Sequence, residues 1–292
     1  IGVIQIIIKN IANVMEKTMK TSGAETLSIS ANIFVGQTEA PILIRPYISK
    51  MTNSELMTVM VGGFSTVAGS VMALYVTWLN NIPEIAGHLL AASVMSAPAA
   101  LMVAKIIYPE TKSYQIINSN SIKLKSQDNN LVDAIGRGAT DGLKLAANVA
   151  AMLIAFISLV AMINFILGLL GTSMQEMLGL LFKPLAWTMG IPWADAKIVG
   201  TLMGEKIVLT ELIAFRDLSD YVSNNTISER SVIIASYALC GFANFGSIGI
   251  QLGGIGSMAP KRKKDLSKLV FKAMLGGAIA SWLTASIVGI LI

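Results

Sequence analysis

The stretch LMTVMVGGFSTVAGSVMALYVTWLNNIP, Leu56 to Pro83, runs 28 positions without a charged side chain. A helix needs roughly 20 mostly apolar residues to cross a bilayer, so this segment spans. Its middle is unusual. Gly62-Gly63-Phe64-Ser65-Thr66-Val67-Ala68-Gly69-Ser70 is small and polar where a spanning helix is normally bulky and apolar, and the helix can unwind there. Working outward, four more spans appear. Ile85 to Ala104 carries only His88, while Leu145 to Gln175, Ser231 to Pro260 and Ala273 to Ile292 carry no charge. The Ile-rich start, Ile1 to Ile8, reads as the tail of a further span. No basic segment with a small-residue cleavage site precedes an apolar run, so no signal peptide is expected. The chain starts at Ile1 and reads as part of a longer protein.

Composition agrees. Of 292 residues 54% are hydrophobic and 13% charged, with mean hydropathy +0.67. Soluble domains carry about 25% charge, so a solvated surface and intrinsic disorder are both excluded. Cys240 has no second cysteine to pair with, and a single His88 argues against a multi-histidine metal site. The net charge of +5 does not point to nucleic acid. The basic residues sit between apolar runs, which is how orientation in a membrane is written. The loops Lys105 to Lys125 and Lys261 to Lys268 (KRKKDLSK) are basic and predicted to face the cytoplasm. The loop around Asn80, Asn81, Pro83 and Glu84 has no basic residue and is predicted to face out. One zig-zag satisfies all three.

Two segments are too polar to cross lipid and too apolar for ordinary loops. Thr21 to Ser49 holds Glu25, Glu39, Arg45, Pro41 and Pro46. Pro192 to Tyr221 holds Asp195, Lys197, Glu205, Lys206, Glu211, Arg216 and Asp217. Re-entrant hairpins buried in protein fit both, since irregular backbone at membrane depth is tolerated only there. Each hairpin precedes an interrupted span: the Gly62–Ser70 patch after the first, and Gly241-Phe242-Ala243-Asn244-Phe245-Gly246-Ser247 after the second. A Ser-Glu pair, Ser54-Glu55 and Ser228-Glu229, stands at the start of each of those spans. By the zig-zag the two units enter from opposite faces. The predicted fold is therefore an all-α polytopic membrane protein with an inverted repeat of re-entrant hairpin plus interrupted helix, and a long tilted scaffold helix. The expected parts are 1–20 (end of a scaffold helix and an interfacial segment), 21–107 (first repeat), 108–175 (loop and scaffold helix) and 176–292 (second repeat). Inverted repeats mark secondary transporters with the site at the repeat interface.

A carboxylate at membrane depth costs about 2.5–3.5 kcal/mol or more and needs a partner or ligand. Glu39 lies at a hairpin tip beside Gln37 and Thr38, which offer donors and acceptors for a heterocycle edge; the alternative is a helix cap or a pair with Arg45. Glu211 is its counterpart, suited to sugar hydroxyls because both oxygens accept hydrogen bonds; the alternative is an internal ion pair with Lys206. Asn244 and Ser247 either bind hydroxyls or bridge helices. Asn32, Thr66 and freed carbonyls at Val35 and Val67 form an uncharged, all-oxygen setting suited to a weakly held monovalent cation, or else to back-bonding within helices. The 16 methionines read as adaptable packing. Zinc spacing, a nucleophile elbow and a phosphate loop are all missing from the sequence.

Five blocks in order resemble the concentrative nucleoside transporter family: GQTEAPILIRPYISKMTNSEL (Gly36 to Leu56), GGFSTVAGSV (Gly62 to Val71), SVMSAPAALMVAKIIYPET (Ser93 to Thr111), GEKIVLTEL (Gly204 to Leu212) and CGFANFGSIGI (Cys240 to Ile250). The resemblance implies a sodium- or proton-driven nucleoside importer, not an enzyme, built as a homotrimer that moves a transport domain past a scaffold. It implies that Gln37, Thr38 and Glu39 meet the nucleobase, that Glu211, Asn244 and Ser247 hold the ribose, and that Phe242 lies near the nucleoside. It implies a sodium ion (Na+, with H+ the alternative) at Asn32, Val35, Thr66 and Val67. The chain departs from the family at Thr210 and Leu212, where Asn and Phe are usual, and at Gly246, where many members have Ser. Some three spans ahead of this region belong to the family pattern and are expected in the longer protein. The expected partners are nucleoside, membrane lipid and two further copies of the chain, with no nucleic acid, in a bacterial inner membrane or plasma membrane. A proton-coupled carrier is the runner-up. An intramembrane enzyme using the two glutamates and a gate-like membrane subunit that transports nothing are further alternatives.

Overall fold

A computed structural model describes residues 3–111 and 130–292. Most of the basic loop expected from Lys105 to Lys125 lies outside the described residues, as do Ile1 and Gly2. The chain divides into a larger unit, residues 1–122 and 178–292, and a smaller one, 123–177. Among the described residues the regular structure is entirely helical.

The chain order is α1 (Val3–Met19), α2 (Gly23–Asn32), α3 (Glu39–Ile42), α4 (Arg45–Ile48), α5 (Asn53–Ser65), α6 (Gly69–Trp78), α7 (Ile85–Ile107) and α8 (Leu131–Gly168). Then come α9 (Met174–Thr188), α10 (Ala196–Val208), α11 (Glu211–Ser223), α12 (Glu229–Leu239), α13 (Phe245–Met258) and α14 (Lys263–Leu291). The same series occurs twice in the larger unit. A hairpin (α2 with α3 and α4; α10 with α11) leads to an interrupted helix (α5 and α6; α12 and α13) and then a continuous one (α7; α14).

The hairpins differ in their second arms. In the first, Pro41 and Pro46 withhold backbone N–H groups, and the arm is two single turns, α3 and α4. In the second, an arm without proline forms the 13-residue α11. Caps start the interrupted helices. Thr52 Oγ1 accepts from Glu55 N at 3.1 Å while Glu55 Oε2 accepts from Thr52 N at 2.8 Å, a reciprocal cap for α5. Ser228 caps α12, accepting from Ser231 N. The two Ser-Glu pairs are thus not equivalent: Ser228 is a cap, whereas Ser54 and Glu55 lie inside the first turn.

The first interruption falls within its small polar patch, and the second begins one residue before its patch, at Cys240. The first covers residues 66–68 and the second 240–244, where Gly241 has φ +98°. They press on each other: a Cβ on Gly241 would lie 2.6 Å from both the Phe64 O and the Ser65 carbonyl carbon. Only glycine combines that conformation with that approach. The continuous helix α14 runs against α5, α7 and α12, and Gly277 lets it close on Phe64.

Asn53–Trp78, Ile85–Ile107 and Pro260–Leu291 are long and apolar enough to span. Exposed Leu90, Val94, Met102 and Ile106 on α7, and Phe271, Leu275 and Ile279 on α14, give these helices an apolar outer face, as a lipid-facing surface requires. The chain is a polytopic membrane protein. The Ile-rich start is half of a single amphipathic helix, α1, which buries Ile8, Ala12 and Met15 at helical spacing, with Met15 against Ile29 and Ile33. In the smaller unit, α8 begins 14 residues before the predicted span and takes in Asp133 and Arg137; at 1.5 Å per residue it is about 57 Å long. Asn164 ties its end to the start of α9, donating to Gln175 Oε1 and accepting from Met174 N, each at 2.8 Å.

Candidate functional site

The second hairpin turns at Thr210, which caps α11 and places Glu211 at its first residue. Glu211 is 5% exposed. Its two oxygens have separate donors: Tyr75 OH reaches Oε1 at 3.3 Å and Asn244 Nδ2 reaches Oε2 at 2.8 Å. Tyr75 is itself held by stacking on Phe215, with ring centroids 4.0 Å apart. Asn244 Oδ1 caps α13 by accepting from Ser247 N at 2.7 Å. Ser247 Oγ accepts from Gln37 Nε2 at 3.0 Å, and Gln37 Oε1 accepts from Gln251 Nε2 at 3.1 Å. Gln251 Nε2 also meets Met60 O at 3.1 Å. One continuous polar chain therefore runs from α6 through both hairpins and α13 to α5, buried in an apolar interior. Every link except Asn244 to Glu211, both of the second series, joins a residue of one series to a residue of the other or caps a helix break.

Lys206, 0% exposed, does not pair with Glu211. It donates to the carbonyls of Ala238 and Cys240 at 3.0 and 2.8 Å, where α12 ends and its last carbonyls lack helical partners. The Cys240 carbonyl also accepts from Ser281 Oγ at 2.6 Å. The expected counter-charge is thus a clamp on the second interruption.

Of the predicted residues, the structure joins Gln37, Glu211, Asn244 and Ser247 in this chain. Thr38 is half-buried, and its methyl group packs on α13 where a Cβ at Gly254 would lie 2.7 Å away. Phe242 is half-buried against the apolar core. Glu39 stands apart: its side chain is exposed and folds back over Gly36, within 2.2 Å of where a Cβ there would be. No ion pair joins it to Arg45 among the described residues. Sequence reasoning missed Tyr75 and Gln251. Gln251 could have been found, as a polar residue one turn beyond Ser247 in a charge-free span.

The cation candidates also converge. Asn32 is 0% exposed, and both atoms of its amide lack hydrogen-bond partners. Its Nδ2 lies 3.5 Å from where a Cβ on Gly62 would sit. Thr66 Oγ1 donates to the carbonyl of that glycine at 3.0 Å. The tip of the first hairpin docks on the first interruption through Gly69 N to Phe34 O at 3.3 Å, which brings Val35 and Val67 to the same region. A buried amide oxygen without a donor costs stability unless something pairs with it. An uncharged oxygen set suits a monovalent hard cation, so these residues fit sodium.

A buried polar site where two interrupted helices and two hairpins meet is the arrangement of secondary transporters. Comparison with known proteins agrees. A family profile described as "Na+ dependent nucleoside transporter C-terminus" matches residues 88–289, and one described as "Nucleoside recognition" (Gate) matches residues 1–82. The whole chain aligns with mouse sodium/nucleoside cotransporter 1 at 43% identity over 48% of that protein. It aligns at 42% identity with 72% of an uncharacterized transporter from Haemophilus influenzae. The solved structure of CNTnw in an inward-facing substrate-bound state superposes with TM-score 0.89 at 44% identity, over 99% of this chain and 69% of that one. An outward-facing variant of CNTnw gives TM-score 0.88. The chain belongs to the concentrative nucleoside transporter family, a family of transporters rather than enzymes. It spans about half the length of the mammalian cotransporters it matches.

Proposed function

We propose that the protein imports nucleosides by sodium-coupled symport across a bacterial inner membrane or plasma membrane. The carrying observation is the polar chain itself: Glu211, Asn244 and Ser247 from the second series meet Gln37 from the first. In this reading Glu211, Asn244 and Ser247 hold the ribose hydroxyls. Gln37, Thr38 and Glu39 meet the base edge, and exposed Glu39 is free to turn toward it. Phe242 flanks the nucleoside. Asn32 and Thr66, with the Val35 and Val67 carbonyls, hold sodium, whose charge would order the first hairpin tip against the 66–68 interruption. Coupling follows when the ion favours the arrangement that binds nucleoside, since only differential affinity shifts a population.

The two hairpins act as re-entrant elements of an inverted repeat, and both series move as a transport domain within a lipid-embedded homotrimer. The test is equilibrium binding of labelled uridine to purified protein in sodium and in potassium buffer at fixed pH. Binding that requires sodium supports the reading. Equal binding in both buffers retains the nucleoside and transfers coupling to protons. Absence of binding in both, repeated with a longer protein carrying the preceding spans, removes the nucleoside assignment.

A further inference from the structure

The two interruptions are served differently by the hairpins that lean on them. In each series the first arm of the hairpin, α2 or α10, brings a residue of its last turn to the end of the helix before the break, α5 or α12. In the first series that residue is Asn32, beside Gly62. In the second it is Lys206, on Ala238 and Cys240. The two stand in matching places. Asn32 is five positions before Gln37 and Lys206 five before Glu211, and at Gln37 and Glu211 the hairpins enter the polar chain.

The helix ends they face are alike. Both α5 and α12 stop at a residue with extended backbone, Thr66 and Cys240. Their last carbonyls lack further helical N–H groups, and the negative end of a helix dipole favours a cation there. At α5 the facing side chain is neutral: Asn32 is 0% exposed and both atoms of its amide lack partners. At α12 the cation is part of the chain. Lys206, also 0% exposed, donates from Nζ to the carbonyls of Ala238 and Cys240 at 3.0 and 2.8 Å. Among the described residues no carboxylate forms an ion pair with it. Ser281 Oγ adds a third oxygen, 2.6 Å from Cys240 O. A lysine ammonium is a compact point charge, and one held by backbone oxygens sits where a monovalent metal ion would coordinate.

We propose that Lys206 is a built-in cation, its ammonium occupying in the second series the place that sodium takes in the first. This assignment rests on the sodium reading of Asn32 and Thr66. The protein then needs one exchangeable ion, for the first break, and carries the other on its own chain. The fixed charge keeps the second break shaped at all times, and only the first waits for sodium.

The test is unfolding of the purified protein without nucleoside, with sodium replacing choline at constant ionic strength. An ion bound only by the folded state raises the folded-to-unfolded ratio by up to about tenfold per tenfold rise in its concentration, and two such ions by up to about a hundredfold. The parent is expected to show the one-ion response. Lys206→Asn vacates the ammonium's place and supplies an amide oxygen like that of Asn32. It should be less stable in choline and show the two-ion response. In Lys206→Met, which fills the space without charge, stability should fall and sodium should restore nothing beyond the parent's response. A parent that already shows the two-ion response overturns the proposal. So does a sodium response in Lys206→Asn no steeper than the parent's, or failure of that variant to fold at any sodium concentration. Lys206→Met as stable as the parent in choline overturns it too, since packing and not charge would then be what the lysine supplies. Adding Asn32→Ala locates the ions: the response should vanish in the parent background and fall to one ion in Lys206→Asn. A parent indifferent to sodium, with a one-ion response gained in Lys206→Asn, removes sodium from the first break and leaves the lysine assignment standing.

Discussion

Replacing Glu211 with Gln removes a charge while keeping the shape and most of the hydrogen bonds. The amide oxygen can take the 2.8 Å bond from Asn244 Nδ2, and the amide NH2 can donate to Tyr75, whose hydroxyl turns to accept. The empty protein should therefore lose less than about 1 kcal/mol, the worth of one neutral hydrogen bond. Ligand binding changes more. Hydrogen bonds to a charged group contribute about 1.5–3 kcal/mol against 0.5–1.5 for neutral pairs, a difference of about 1–2 kcal/mol for each sugar hydroxyl held. That corresponds to roughly 5- to 30-fold weaker uridine binding per hydroxyl. Equilibrium binding of labelled uridine in sodium buffer measures it, with thermal unfolding as the control. Unchanged affinity in a normally stable variant would refute the sugar assignment to Glu211. A large loss of thermal stability would instead refute the inference that the site accommodates the amide.

Thr66→Val removes one hydroxyl oxygen from the cation candidates and should raise the sodium concentration needed for uridine binding while leaving the fold intact; an unaltered sodium titration removes Thr66 as a ligand. Gly241→Ala brings a Cβ to 2.6 Å from the Phe64 carbonyl oxygen at a φ of +98°, and should cost at least about 1–3 kcal/mol, read as a lower melting temperature. Lys105→Met strands Glu25, 1% exposed and bonded to Lys105 at 2.8 Å. The cost is about 3–5 kcal/mol, and adding Glu25→Gln should recover much of it; no recovery would mean that packing, not charge, is what Lys105 supplies. Burial alone would raise the Asp195 carboxyl, but bonds from Ser228 N, Ser228 Oγ and Ser231 Oγ outweigh it and hold the group below the usual carboxylate range. Its stabilisation is present above the ordinary Asp value and is lost as pH falls through the depressed one. Protection factors for hydrogen exchange at the start of α12, corrected for the intrinsic rate at each pH, should fall on acidification, and Asp195→Asn should abolish that fall.

The repeated order of elements was legible because each clue was local. Charge-free runs marked three spans that the structure keeps, at Asn53–Trp78, Ile85–Ile107 and Pro260–Leu291, while the runs Leu145 to Gln175 and Ser231 to Pro260 mapped onto a helix that starts 14 residues earlier and onto two shorter helices; the small polar patches marked the interruptions. Partnerships were less legible. Lys206 and Glu211 are five residues apart, and nothing in the sequence shows that the lysine would serve the end of α12 instead. Tyr75 sits in a charge-free span among apolar neighbours, and its role depends on a contact 136 residues away. Glu39, singled out as a costly buried charge, is exposed instead and folds back over Gly36.

The approach of Gly241 to Phe64 and Ser65 also constrains how the protein responds to its ligands. The backbone next to Thr66 and the backbone leading to Asn244 touch without an intervening side chain, so neither interruption can rearrange without displacing the other. In the proposed reading, an ion that restricts the first would lower the entropy still to be lost when a nucleoside orders the second. By thermodynamic reciprocity the nucleoside would then tighten the ion by the same factor. A glycine without a side chain thus sets the stiffness of the link, and any residue that pads this contact should loosen the dependence of one ligand on the other.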